Sequence, residues 1–260
     1  MRRSNLILTI LLPLTILSNA CRQANAPTED HYAKGNEYAL NADFANARKE
    51  YELALKQDTA NWKACYQLAG VYELEGDFKN AYDYFNKAVT INPKFAMGYF
   101  NKSNLEEMIG DEKASMKDLK RALEIKKDFF LAQMTKGRKE MGSGQLKQAV
   151  ADFDTAINMR SDFYLAYSMR GSAKYKSGDF DGAINDFTTE INLRPGHVMG
   201  YVNRAVVYGE QKNYRAAIAD INKCMTIDPL WSQAYIYRGM FYIQLGAKDT
   251  ACGDFRIAYK

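Results

Sequence analysis

The chain repeats a residue pattern every 34 residues, from about residue 28 to residue 260. Glycine, an acidic or amide residue and a hydrophobe recur in register, as in Gly76-Asp77-Phe78 and, three periods later, Gly178-Asp179-Phe180. The same period places a small residue at Ala47, Ala81, Ser115, Ala149, Ala183, Ala217 and Ala251. A fixed period of this length means that each unit is a supersecondary module that buries its apolar surface only against its neighbours. The period therefore predicts one continuous repeat architecture.

The units have the sequence features of paired helices. Apolar residues fall at helical spacing, as in Tyr84, Phe85 and Ala88. The recurring glycine suits a left-handed helix C-terminus, and prolines such as Pro93 between units end the second helix. No segment alternates with a period of two residues over a useful length. We therefore predict an all-α fold.

The pattern resembles the tetratricopeptide repeat, a helix–turn–helix unit of 34 residues. The unit that begins at Trp62 carries nearly the whole set of characteristic residues, namely Ala69, Tyr72, Gly76, Ala81, Phe85, Ala88 and Pro93. The resemblance implies a right-handed α-solenoid of about seven repeats that start near residues 28, 62, 96, 130, 164, 198 and 232. The third and fourth repeats depart furthest from the pattern, because Glu106 and Glu140 replace the usual aromatic residue.

Residues 1–21 lie outside the repeats. Arg2 and Arg3 precede a short apolar stretch, residues 6–17, which fits a secretory signal better than a membrane helix of about 20 residues. The segment that ends in Ala20-Cys21 resembles the lipobox of bacterial lipoproteins, which implies acylation of Cys21. We expect a signal peptide over residues 1–21, a tether over residues 22–27 and the repeat domain over residues 28–260. A cleaved signal with an incidental cysteine is the alternative.

The chain contains no recognisable catalytic, metal or cofactor motif. His31 and His197 lie far apart and lack metal-ligand partners at helical spacing. Residues 137–147 contain three glycines and a lysine without phosphate-loop spacing, and the carboxylates are interpreted as solvent-facing. Cys224 is predicted to lie in the core, and a bridge to Cys252 is not predicted. A formal net charge of +4 gives no electrostatic argument for nucleic acid.

The resemblance implies a concave groove lined by the first helix of each repeat. A methionine- and aromatic-rich lining with few charges suits an apolar or amphipathic peptide. Phe100 and Arg138 are expected to face this groove rather than the core. The carboxylate clamp of chaperone-binding relatives is not expected, since Tyr32 and Gly70 replace its Lys and Asn. The candidate partner-binding residues are Tyr32, Asn36, Tyr66, Phe100, Asn104, Glu107, Met134, Arg138, Met141 and Tyr175.

The function expected from these features is that of a non-catalytic scaffold or adaptor without cofactor. It would bind a protein or peptide partner and be exported, with a lipid anchor on the periplasmic face of the outer membrane. A soluble cytoplasmic or periplasmic scaffold without lipid is the main alternative, and an envelope enzyme or polymer-binding protein is a further one. The basic stretch over residues 113–147, with Lys117, Lys120 and Arg121, is either a solvated convex face or a patch for an acidic partner. The oligomeric state and the partner's identity stay open.

Overall fold

The computed structural model describes residues 30–259, which form fourteen helices and no strand within that range. The predicted all-α fold is confirmed. The helices are α1 (His31–Leu40), α2 (Phe44–Gln57), α3 (Trp62–Glu75), α4 (Phe78–Ile91), α5 (Ala96–Met108), α6 (Glu112–Ile125), α7 (Phe130–Gly142), α8 (Leu146–Met159), α9 (Tyr164–Lys176), α10 (Phe180–Leu193), α11 (Val198–Glu210), α12 (Tyr214–Ile227), α13 (Ser232–Gln244) and α14 (Lys248–Ala258).

The chain divides into two compact units between Lys126 and Lys127. The first contains α1–α6 and the second α7–α14. Within each unit the two helices of a repeat pack against each other, and the second helix packs against the first helix of the next repeat. Each unit is therefore a stack of helix–turn–helix repeats. The predicted signal peptide, the tether and Cys21 lie outside the described residues.

The turn between the two helices of a repeat explains the recurring glycine motif. Gly76 and Gly178 have φ values of 79° and 86°, in the left-handed region that glycine enters without steric cost. The acidic residue that follows caps the next helix, since the Asp77 and Asp179 carboxylates accept hydrogen bonds from the backbone N–H groups of Asn80 and Gly182. The motif thus ends one helix and starts the next.

The core of each repeat lies between a small residue on the first helix and a large one on the second. In the fifth repeat these are Gly171 and Phe187, and a Cβ atom added at Gly171 would lie 2.9 Å from the Phe187 ring. The same arrangement joins Gly137 to Phe153, where the added atom would lie 2.8 Å from the ring. Close helix contact is therefore built into the repeat.

The three described cysteines are free. Cys65 and Cys224 are buried, so the predicted core position of Cys224 is confirmed, and Cys252 is exposed on α14. Burial raises the pKa of the Cys224 thiol to about 12. Cys224 is therefore a protonated, inert part of the core at neutral pH.

Candidate functional site

The first helices of successive repeats form one surface in each unit, here called the first-helix face. In the first unit it consists of α1, α3 and α5. Gln67 on α3 donates a hydrogen bond to the Asn36 side chain on α1, at 3.4 Å, and Asn101 on α5 donates one to the Tyr66 hydroxyl, at 2.8 Å. These bonds hold the first helices side by side, so that residues at equivalent repeat positions form rows across the face.

One row in the first unit is apolar and exposed. Leu40, Leu74 and Met108 stand one period apart near the C-termini of α1, α3 and α5, and their exposed fractions are 60%, 43% and 48%. Ile109 continues the row and is 50% exposed. Single exposed hydrophobic residues are ordinary, whereas a row that follows the repeat is a feature of interaction surfaces.

A half-buried carboxylate lies beside this row. Glu73 precedes Leu74 on α3 and stands seven residues after Tyr66, two turns along the same side of the helix. Burial raises the pKa of the Glu73 carboxyl. Burial and, next, the charge of Glu73 also raise the pKa of Tyr66. The two groups therefore share a partly desolvated part of the first-helix face.

The first-helix face of the second unit, formed by α7, α9, α11 and α13, is also apolar. Leu131 and Met199 are 40% and 46% exposed, and on α13 Met240 and Ile243 are 54% and 41% exposed. These exposed side chains belong to a methionine-rich surface of adaptable shape.

The structure distinguishes the candidate residues by burial. Phe100 and Met134 are buried, 6% and 8% exposed, so the expectation that Phe100 faces a partner rather than the core does not agree with the structure. Arg138 is exposed. Tyr175 donates a hydrogen bond to Glu210 at 3.3 Å. The remaining candidates are half-buried, namely Tyr32, Asn36, Tyr66, Asn104, Glu107 and Met141.

Sequence reasoning missed a series of ion pairs inside the repeats. A cation on the first helix pairs with an aspartate sixteen residues later on the second helix, and the pair recurs with the 34-residue period. Its members are Lys102–Asp118, Lys136–Asp152, Arg170–Asp186, Arg204–Asp220 and Arg238–Asp254. The sequence contains a cation and an aspartate at fixed repeat positions. Only the packing of the two helices in the structure shows that these side chains form ion pairs.

The arginine members also connect neighbouring repeats. Arg204 on α11 binds the Asp220 carboxylate with two nitrogens, both at 2.8 Å, and donates a third bond to Thr188 on α10 at 2.8 Å. Arg170 and Arg238 make the same three-way contact. The hydrogen bonds to Asp220 are the main cause of the raised pKa of Arg204. Each arginine therefore joins three helices.

The lysine members of the ion-pair series explain why the third and fourth repeats depart from the tetratricopeptide pattern. The Lys102 Nζ atom lies 3.0 Å from a Glu106 carboxylate oxygen and 2.6 Å from one of Asp118. In the same way, the Lys136 Nζ atom lies 3.0 Å from a Glu140 oxygen and 2.6 Å from one of Asp152. Burial raises the pKa of the Glu106 carboxyl. The glutamates at the usual aromatic position thus belong to buried charge clusters.

These clusters correct the interpretation that the carboxylates face solvent. Asp118, Asp152, Asp186, Asp220 and Asp254 are all buried. Glu190 is fully buried, and its carboxylate lies 2.7 Å from the His197 Nδ1 atom. The charges therefore belong to the interior of the repeats as well as to their surface.

The basic second-helix surface of the first unit is partly neutralised. Arg121 pairs with Glu124 at 2.9 Å, and Lys117 and Lys120 are exposed. Lys117 and Arg121 line a polar cleft of about 470 Å³ together with Asn86, Val89, Thr90, Tyr99, Lys102, Asp118 and Glu124. The lining of this cleft thus contains both cations and carboxylates.

Within residues 30–259 no three His, Cys, Asp or Glu side chains are placed to hold a metal ion. None of the helices in the same range combines the length and apolar character needed to cross a bilayer.

Comparisons with known proteins identify two of the repeats. Two family models described as tetratricopeptide repeat match residues 62–95 and 200–229, the second and sixth repeats. The chain therefore contains tetratricopeptide repeats, which form a scaffold suited to protein binding. The curated proteins include no match.

Solved structures share the fold. A tetratricopeptide-repeat protein from Parabacteroides merdae has a TM-score of 0.66 at 20% identity. The match covers 89% of this chain and 91% of that protein's chain. The C-terminal part of a repeat protein from Cytophaga hutchinsonii has a TM-score of 0.76 at 13% identity, covering 87% and 93%. YrrB, described as having an unusual peptide-binding site, has a TM-score of 0.63 at 18% identity, covering 71% and 95%.

Proposed function

We propose that this protein is a non-catalytic scaffold that binds a peptide or protein segment on its first-helix face while a lipid on Cys21 attaches it to a bacterial envelope membrane. The row of exposed apolar residues Leu40, Leu74 and Met108 carries the binding part of this proposal. Aliphatic and thioether side chains in a row bury apolar surface when an amphipathic segment lies across them. The peptide-binding site for which YrrB is described is a precedent on the same fold.

Site-specific crosslinking tests the binding surface. A photoreactive amino acid is placed at Met108 on α5, which is 48% exposed, or at exposed Lys120 on α6 as the matched control. In cells that produce the protein, we expect a discrete crosslinked product from position 108 and none from position 120. A product from position 120 alone would assign binding to the basic second-helix surface instead.

The membrane part of the proposal depends on Cys21 and is tested separately. Acyl chains contribute about 0.8 kcal/mol per buried methylene, so a multiply acylated N-terminus anchors a protein stably. The Cys21→Ala variant should move from the membrane fraction to the soluble fraction, whereas exposed Cys252→Ala should leave the distribution unchanged. An unchanged distribution of the Cys21 variant would support the alternative, a scaffold without lipid.

A further inference from the structure

Glu73 differs from the ion-paired carboxylates of the repeats because it lacks a counter-charge. The aspartates of the ion-pair series each bind Lys or Arg, and Glu190 lies against His197. No hydrogen bond or ion pair joins the Glu73 carboxylate to any other residue within 30–259. A partly desolvated carboxylate without a cation is costly, and an arriving cation would remove that cost.

The surroundings of Glu73 define what that cation must be attached to. Leu74 follows it directly, and Leu40 and Met108 lie one repeat to either side in the exposed apolar row. Tyr66 bounds the other end of the same helix side, and its hydroxyl is already used as an acceptor by Asn101. The site therefore presents Glu73, and one repeat later Glu107, beside the exposed apolar row.

The second unit has no carboxylate at the repeat position of Glu73. The equivalent residues, one period apart, are Met141, Tyr175, Gly209 and Ile243. A carboxylate at this position is therefore specific to the first unit, where Glu73 and Glu107 supply it, and is not a requirement of the repeat.

We propose that the segment bound by the first unit carries a lysine or arginine whose cation pairs with Glu73, flanked by apolar side chains that lie on Leu40, Leu74 and Met108. This inference rests on the proposed function and specifies its partner as a cationic, amphipathic peptide segment. Charge complementarity supports it, because a cation at this point satisfies Glu73 while its neighbours cover the exposed row. The carboxylate sets the register of the segment, and the apolar row contributes burial.

A random-peptide display library, selected against the purified protein, tests the proposal. The selections use the wild type, Glu73→Gln, and Asp83→Asn as a matched control that neutralises an exposed carboxylate on the second helix of the same repeat. Peptides from the wild type and Asp83→Asn should share a Lys or Arg between apolar residues. Peptides from Glu73→Gln should lack that enrichment.

Affinity measurement of one selected peptide completes the test. Glu73→Gln should weaken its binding about tenfold, and Asp83→Asn should leave it within about twofold. Equal cation content in all three selections, or equal affinities, would overturn the assignment to Glu73. If selected peptides bind without a cation but lose affinity in Leu74→Ser, the proposed function stands alone. If no peptide is enriched over a protein-free control, both the proposed function and the assignment to Glu73 are contradicted.

Discussion

At the scale of single residues, the small positions of the repeat are set by the ring opposite them. Gly171 lies against Phe187, so that a Cβ atom at 171 would meet both the ring at 2.9 Å and the Asp186 Cβ at 3.1 Å. Gly70, also inside a first helix, has no such neighbour within 4 Å. The two glycines therefore occupy helices for different reasons.

Alanine substitutions at these glycines should have opposite effects. Gly171→Ala should lower the free energy of unfolding by about 1 kcal/mol, because overpacking outweighs the gain in helix propensity. Gly70→Ala should raise it by about 0.5–1 kcal/mol, since only the propensity changes. Urea denaturation of both variants measures the difference. Shifts of the same sign would contradict the packing described for Gly171.

The buried Glu190 should make stability depend on pH. Burial raises the pKa of its carboxyl above the ordinary value, despite hydrogen bonds from His197 and Ser168. The folded state then holds a proton that the unfolded state has released, so this contribution to stability is complete below the unfolded pKa and is lost as pH rises through the folded pKa. Glu190→Gln removes that loss. The melting temperature of the variant relative to wild type should therefore rise as the pH increases above the ordinary glutamate pKa of about 4.3. A falling difference would mean that pairing with His197 dominates.

At the scale of helices, the arginine pairs connect each repeat to the preceding one. Arg204 contacts Asp220 in its own repeat and Thr188 in the preceding one, so α10, α11 and α12 share one hydrogen-bonded centre. A guanidinium group suits this role because its nitrogens point in fixed directions. Lysine in the third and fourth repeats contacts two carboxylates within its own repeat instead.

Removing only the cation of one such pair should lower the free energy of unfolding more than removing both charged residues. Arg204→Ala leaves Asp220 buried without its partner and should lower the free energy of unfolding by about 3 kcal/mol. Combining it with Asp220→Ala should recover part of that loss, because the unpaired charge is gone. Arg215→Ala, at an exposed position on α12, is the control and should change stability by less than about 0.5 kcal/mol. A double variant no more stable than Arg204→Ala would argue against a charge-based role.

The sequence was sufficient to predict the helices and turns, because the residues that determine them are close together in the chain. Gly76 and Asp77 carry the end of one helix and the cap of the next within two residues. The ion pairs were missed because a carboxylate such as Asp220 resembles a solvent-facing residue in the pattern of its own helix. Its burial depends on Arg204, sixteen residues earlier on another helix. Phe100 was misplaced for the same reason, since helical spacing assigns a side chain to a face but does not determine how far the neighbouring helices cover it.

At the scale of the whole molecule, the proposed binding surface and the proposed lipid anchor occupy different parts of the chain. The first-helix faces lie within residues 30–259, and Cys21 lies outside the described residues. The interior charges of the ion-pair series join the helices of the repeats. The proposed partner specificity lies in the exposed rows, where residues such as Glu73 and Leu74 differ from one repeat to the next.

Methionine methyl groups offer the most direct test of the central claim, that partners bind to the first-helix face. Met108, Met199 and Met240 are exposed on first helices, while Met116 and Met159 lie on second helices. NMR spectra of methyl-labelled protein are recorded with and without a display-selected peptide. The Met108 signal should shift on binding, and those of Met116 and Met159 should not. Shifts confined to Met116 and Met159, with the three first-helix methionines unchanged, would contradict the claim.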